Sequence, residues 1–594
     1  MGRAIKIGAV TLIVLGLLAG LAMLLLSQKD PASKFLEDDP AIRSHPDYPV
    51  ALQDISTIED QVVVERDVWV TTRDGTRLSA NIFRPSEAGE YPVVMAFTAY
   101  DKNKGPANYP KLLRNSIEPD FDLGTLPVSP WTSWEGPDPA FWVPNGYAVI
   151  YVDSRGFASS EGDPSTLSRR DRDDFYDAIE WAAAQEWSNG NVGLNGVSYL
   201  AISQWVAASG NPPSLKAIIP WEGQSDPFRE VIYHGGIPEV NFTGFWIRKM
   251  RSGANGNPLP HPWLFRFAQQ RPALLKWFQT RPATISGIDL PKIEVPALIA
   301  ATWSDQGLHT RGSFEGYKRS SSTQKWLYTH GRAKWDVYYS DEALAYQKDF
   351  FDHFLKGLDN GFDQRPAVRL EVRESLTEYS VREASDWPIP GTDYRRLYLS
   401  SQDNALTELP LPAEAVTEYD SAEGQAVFEL TFDEATEITG NMKLKLWVSS
   451  PEADDMDLFV GVHKLDLEGQ EVTFFAKTGY TKGPVAMGWL RASQRALDPD
   501  RSTPQQPVLT HNNPQKLEAG EIVPVEIEIL PSSTLFNAGE TLQLVIQGND
   551  LFDHPALGHG FLVNHGTHRI HAGGDYDSYL LVPFQPQSDQ QRQD

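Results

Sequence analysis

The chain has 594 residues, 17 tryptophans, no cysteine and a formal net charge of −27. That length exceeds what one hydrophobic core supports and implies two or three domains. The missing cysteines exclude disulfides, thiolate metal sites and a cysteine nucleophile, and the acid surplus repels phosphate backbones and argues against a nucleic-acid partner.

The N-terminus opens with Arg3 and Lys6, and then Ile7 to Leu26 runs without a charge. Twenty apolar residues as a helix span about 30 Å, the thickness of a bilayer's hydrocarbon core. A cleaved signal peptide is the competing reading, but its apolar stretch is about 7–15 residues and ends in small residues. "LLLSQKD" offers no such site. The sequence therefore predicts an uncleaved membrane anchor over 1–29, with the catalytic part outside the cytoplasm and secretion after cleavage as the alternative. A polar linker over 30–60 follows.

"VVVERDVWVTTRDGTRLSANIFRP" alternates apolar and polar residues about Asp74-Gly75, a hairpin signal. Short apolar runs then alternate with helical stretches: Tyr91 to Phe97, Tyr147 to Val152, Val192 to Asn195, Leu215 to Ile219, Ala297 to Thr302 and Lys325 to Tyr328 read as buried strands. Asp171 to Glu186 has helical periodicity and an acidic first turn. This alternation predicts an α/β fold with a mostly parallel sheet covered by helices. The aromatic, proline-punctuated stretch within 226–293 breaks the rhythm and reads as an inserted helical cap. "DFFDHFLKG" closes the first domain with a helix ending at Gly357. Beyond it, short alternating strands such as "KLKLWVSS" and "TLQLVIQG" predict an all-β jelly-roll sandwich. The expected division is thus 61–225 and 294–380 for the α/β domain, 226–293 for the cap, 381–586 for the jelly roll and 587–594 for a polar tail.

The chemistry turns on "GLNGVSYLAISQW", residues 193–205. Gly196-Val197-Ser198 begins the hydrolase elbow G-x-S-x-G, but Leu200 stands where that signature has glycine. A serine hydroxyl needs an imidazole to take its proton and a carboxylate to steady the imidazolium. Functional residues of an open α/β sheet gather beyond the carboxyl ends of its strands. Asp305 follows one predicted strand and His330 another, and the order Ser198, Asp305, His330 is that of an α/β-hydrolase. Each residue alone is a weak signal; a lone Asp there is usually a cap and a lone His usually structural. Their order and placement together favour catalysis.

"GVSYLAISQW", together with "DGTRLSANIFRP", "NGYAVIYVDSRGFASSEG" and "GWLRASQRALDP", resembles the family of bacterial cocaine esterase and X-Pro dipeptidyl-peptidases over about residues 60–585. The resemblance implies an α/β-hydrolase domain with a cap and a C-terminal jelly roll. It assigns Ser198 as nucleophile, His330 as base and Asp305 as its orienter, with an oxyanion hole of the Tyr100 hydroxyl and the Tyr199 backbone N–H. Three departures stand out. Ala201 replaces a family glycine, "YTHGRAKW" replaces G-P-W-x-H-G, and "WSDQGLH" lacks the acidic residues that bind an ammonium in α-amino acid ester hydrolases. Glu222, Asp226 and Glu230 are the remaining candidates for such a group. Asp153 and Arg155 read as a structural ion pair.

His565, His568 and His571 cannot converge from one strand, since positions three apart face opposite sides, so structural hydrogen bonding is expected for the C-terminal histidines. No Gly-rich phosphate loop or zinc motif is present, and neither cofactor nor metal is expected. The expected activity is hydrolysis of an acyl ester or amide in a small molecule or short peptide. A Xaa-Pro dipeptidyl-peptidase is the alternative with the same triad. From another class, a membrane-anchored binding protein with a degenerate site is the runner-up. Oligomeric state is not legible.

Overall fold

The computed structural model describes residues 50–108, 126–255, 287–477, 480–554 and 557–586. The first domain forms where apolar runs long enough for a strand alternate with amphipathic helices. Strands β1 (Val62–Thr71) and β2 (Arg77–Pro85) make the hairpin at Asp74-Gly75, with Gly75 at φ +86°. Then come β3 (Tyr91–Thr98), β4 (Ala148–Asp153), α1 (Arg169–Ala183), β5 (Ser188–Val197), α2 (Tyr199–Ala208) and β6 (Leu215–Trp221). Helix α3 (Asn241–Gly253) precedes β7 (Ala297–Thr302), α4 (Thr310–Arg319), β8 (Lys325–His330), α5 (Lys334–Tyr338), α6 (Asp341–Lys356), β9 (Val368–Arg373) and β10 (Tyr379–Ala384).

The sheet runs β1-β2-β4-β3-β5-β6-β7-β8-β9-β10. Pairing is parallel from β4 through β9 and antiparallel at both ends. Strands β4 and β7 are buried at every residue, the pattern expected where helices cover both faces. Helix α1 starts at a reciprocal cap: the Ser168 hydroxyl accepts from the Asp171 N–H and the Asp171 carboxylate accepts from the Ser168 N–H. Helix α6 ends as expected at Gly357, which takes the left-handed conformation at φ +69°.

The second domain is mostly antiparallel strands around its own apolar core. Its long pair is β11 (Thr436–Ser449) with β14 (Val523–Phe536); β12 (Asp457–Leu465) lies between β13 (Ala486–Arg491) and β15 (Thr541–Gln547). Strand β9 reaches it through the pairing of Arg373 with Thr534.

The membrane assignment is corrected. Among the described residues no helix is long and apolar enough to cross a bilayer. The stretch 1–29 lies outside them, so nothing described supports an anchor or a membrane partner. The central part of the expected cap, "HPWLFRFAQQRPALLKWFQTRP", also lies outside the described residues.

Candidate active site

Ser198 sits between β5 and α2 at φ 57°, ψ −117°, a left-handed backbone that a non-glycine residue adopts only where the surroundings compel it. Its N–H donates to the Trp221 carbonyl at 3.1 Å, and its own carbonyl receives the N–H groups of Ala201 and Ile202 at 2.9 Å. The turn is tight: a Cβ built at Gly196 would lie 2.6 Å from the Leu200 Cβ, which explains glycine at the start of the motif. The fifth motif position tolerates Leu200, which is fully buried. Ala201 is accommodated as well, because Gly223 opposite carries no side chain; a Cβ there would meet the Ala201 methyl at 3.1 Å.

The imidazole beside Ser198 is that of His309, with Nε2 3.2 Å from the Ser198 Oγ and Nδ1 2.5 Å from Asp305 Oδ2. His309 and Asp305 lie on one turn after β7, the His309 N–H donating to the Asp305 carbonyl at 3.0 Å. Residues four apart in such a turn share a face, so acid and imidazole are neighbours by construction. Both are buried.

His330 is where the expected geometry differs. It remains inside the sheet, paired in register with Thr302, and its carbonyl accepts from the Trp303 N–H at 2.8 Å. Its buried ring stacks near Trp221 and lies 3.0 Å from Glu222, a close contact without an aligned hydrogen bond. The expected assignment of the base to His330 is therefore corrected geometrically. The strand keeps its ring away from the serine, and the longer loop after β7 delivers His309 instead. The spacing D-x-x-x-H in "DQGLH" was the signal for this.

Lys334, at the start of α5, completes the cluster. Its ammonium donates to Asp305 Oδ2 at 2.7 Å and lies 3.1 Å from His309 Nδ1. Burial opposes charge on Asp305, yet Lys334 and His309 outweigh it and hold the carboxyl well below the usual range. Burial, reinforced by Lys334 and opposed by Asp305, pushes the His309 imidazole down. Burial works against the Lys334 ammonium, but Asp305, Glu222 and Glu135 raise it. Glu135, whose carbonyl accepts from the Val197 N–H, is pushed up to about 8 by burial, against the pull of Lys334. Donor atoms of Glu222, Asp305 and His309 lie within 4.8 Å of one another, a set that could suit a cation. The ammonium of Lys334 already supplies positive charge to Asp305, so this cluster calls for no metal.

Tyr100 follows β3 and lines the same cavity as Ser198 and His309. Its hydroxyl accepts from the Trp246 Nε1–H at 3.4 Å, and its ring meets that of Tyr199 edge-on at 5.6 Å. The cavity, about 110 Å³, is otherwise walled mainly by apolar groups such as Ile202, Val231, Phe242 and Trp246, with Gln224 and Thr243 among them. Among the described residues no carboxylate lines it. Asp226 is paired to Arg229 at 2.6 Å, and Glu230 accepts from the N–H groups of Ser225 and Asp226. Glu222 faces His330.

Asp153 and Arg155 are structural but do not pair with each other: Asp153 binds Lys102, and Arg155 binds Asp174 and Asp74. The second domain grips the loop of Asp305 and His309. The Gln306 N–H donates to the Ala476 carbonyl at 2.7 Å, the Gln306 Oε1 accepts from the Met487 N–H at 2.6 Å and its amide donates to Val485 at 3.1 Å. Lys477 donates to the Gly307 carbonyl at 3.0 Å. Sequence reading did not single out His309, Lys334 or Gln306. Of the C-terminal histidines, His568 bonds to the Tyr419 hydroxyl and His571 to that of Ser449.

Comparison with known proteins places this geometry. Residues 74–333 match the family model of the X-Pro dipeptidyl-peptidase (S15 family), and residues 360–581 match the X-Pro dipeptidyl-peptidase C-terminal non-catalytic domain. The fold and both matches define a hydrolase with a C-terminal domain of mostly strands. A solved CocE/NonD family hydrolase from Staphylococcus aureus is 42% identical at TM-score 0.83, covering 90% of this chain and 99% of that one. The chain belongs to this family, that of cocaine esterase and the X-Pro dipeptidyl-peptidases, and is accordingly a hydrolase. The cocaine esterase of Rhodococcus is 25% identical over 89% of this chain and 99% of its own length. An aminopeptidase from a marine sediment archaeon, 16% identical at TM-score 0.64 over 91% of this chain and 99% of that one, shares the fold.

Proposed function

We propose that the protein is a serine hydrolase of the α/β-hydrolase type that cleaves esters of apolar acyl groups through an acyl-enzyme on Ser198. The carrying observation is the contact of Ser198 Oγ with His309 Nε2, whose other nitrogen faces Asp305. His309 takes the serine proton as Oγ bonds to the acyl carbon. The Tyr100 hydroxyl and the Tyr199 N–H stabilise the resulting oxyanion. His309 then returns the proton to the departing alcohol. A water attacks the acyl-enzyme with His309 again accepting a proton, and the acid leaves as Ser198 regains its hydrogen.

In this reading residues 61–225 and 294–380 form the hydrolase domain, the described part of the expected cap lends helix α3 to the cavity wall, and 381–586 form a jelly roll. The apolar cavity supports an apolar acyl group and gives no described partner to a free N-terminal ammonium, which argues for esters over Xaa-Pro peptides. The intact contacts around Ser198 argue against a binding protein with a disabled site.

A fluorophosphonate probe and a panel of nitrophenyl esters beside Xaa-Pro nitroanilides test this. Labelling lost in Ser198→Ala and His309→Ala, with esters preferred, supports it. Absence of labelling in the wild type, or faster turnover of the anilides, overturns it.

A further inference from the structure

Helix α5, which follows β8, starts with a buried cation that the hydrolytic scheme above does not use. Lys334 is 5% exposed, and its ammonium touches both partners of the proton relay, Asp305 at 2.7 Å and His309 at 3.1 Å. With the Ser198 hydroxyl directed at Nε2, the Nδ1 hydrogen of His309 points to Asp305. Lys334 therefore spends its hydrogen bond on the carboxylate and faces the ring nitrogen as a bare charge. We propose that Lys334 is a positioning residue of the reaction, fixing the Asp305 carboxylate while biasing His309 toward its neutral, proton-accepting form. The inference rests on the assignment of His309 as base.

The charges around His309 divide by element. Asp305, on its own loop, favours the imidazolium, as does Glu222 after β6. Lys334 on α5 opposes it. Glu135 and, from the second domain, Lys477 bear on Lys334 and Asp305 respectively, and His330 adjoins Glu222. A paired carboxylate with no counter-cation would bind the imidazole's extra proton more tightly and silence the base in mild acid. Lys334 offsets that, and the downward push on His309 is consistent with it.

The test is the second-order rate of labelling of the full chain by an alkyl fluorophosphonate from pH 4.5 to 8. Lys334→Met is expected to move the acid-side midpoint up by about one pH unit, so that the rate at pH 5.5 relative to pH 8 falls about two- to fivefold against wild type. Lys334→Arg retains the charge and is expected to keep the wild-type midpoint. Glu222→Gln removes an opposing charge and is expected to move the midpoint down, which provides a readout of opposite sign should Lys334→Met fold poorly. A Lys334→Met rate lowered equally at all pH values, or an unmoved midpoint in Glu222→Gln, overturns the proposal. Labelling that survives unchanged in His309→Ala overturns instead the assignment of the base beneath it.

Discussion

The His309 imidazole stands 3.2 Å from the Ser198 hydroxyl, while the ring of His330 lies inside the sheet against Glu222. The two histidines therefore have separable consequences. His309→Ala is expected to lower kcat at least 10⁴-fold, as loss of the proton acceptor does in a serine triad. His330→Asn is expected to keep kcat within about tenfold and to show its effect in thermal stability, because it leaves a buried carboxylate neighbour altered. Equal losses in the two variants would contradict the geometry.

Tyr100→Phe deletes the hydroxyl proposed to stabilise the oxyanion and preserves the ring packed on Tyr199. Removing one such donor costs about 2.7–4 kcal/mol of transition-state stabilisation. A loss of about 10²–10³ in kcat with KM nearly constant is the expected result of steady-state assays on a nitrophenyl ester.

Gln306 joins the acid–base loop to the second domain through three hydrogen bonds at its backbone and side chain. Gln306→Leu strips the Met487 N–H of its acceptor, a buried loss of about 1–3 kcal/mol. Because the same loop carries Asp305 and His309, displacement by about 1 Å is expected to lower kcat by up to about 10²-fold. Thermal melts and kinetics on the same sample check both effects.

His568, buried against the Tyr419 hydroxyl, is pushed down to about 4 by burial. Below about pH 6.5 the unfolded chain gains a proton there that the folded chain declines, so this group's contribution is present near neutrality and is lost as pH falls. His568→Phe removes that dependence. The stability gap between wild type and variant is expected to narrow by about 2 kcal/mol between pH 7 and pH 5, measured by denaturant titration.

The sheet was largely legible because its strands are apolar runs buried on both faces: Ala297–Thr302 appears with the expected ends, and Lys325 to Tyr328 only extends to His330. That two-residue extension is the reason His330 misled. A strand end read two residues short places a histidine in the loop, when in the fold it is still held in register with Thr302. The elbow was legible from Gly196 and Ser198 because a backbone conformation this demanding leaves a mark in residue type. His309 left only the four-residue spacing to Asp305, which says nothing of its reach to Ser198 on another element. Lys334 left no mark, because its partner Asp305 stands on another element and linear spacing to it carries no signal. The anchor was drawn from the length of the uncharged run, its basic flank and the lack of a cleavage site; that stretch lies outside the described residues, among which no helix is long and apolar enough to cross a bilayer.

The carboxylate of Asp305 and the imidazole of His309 occupy a single segment of five residues, pinned at Gln306 and Gly307 by the neighbouring domain. In the proposed mechanism the proton-handling half of the machinery is thus one portable cassette. An insertion or deletion of one residue within it would disarm acid and base together, whereas exchange of the whole segment with its β-domain contacts would carry both across at once.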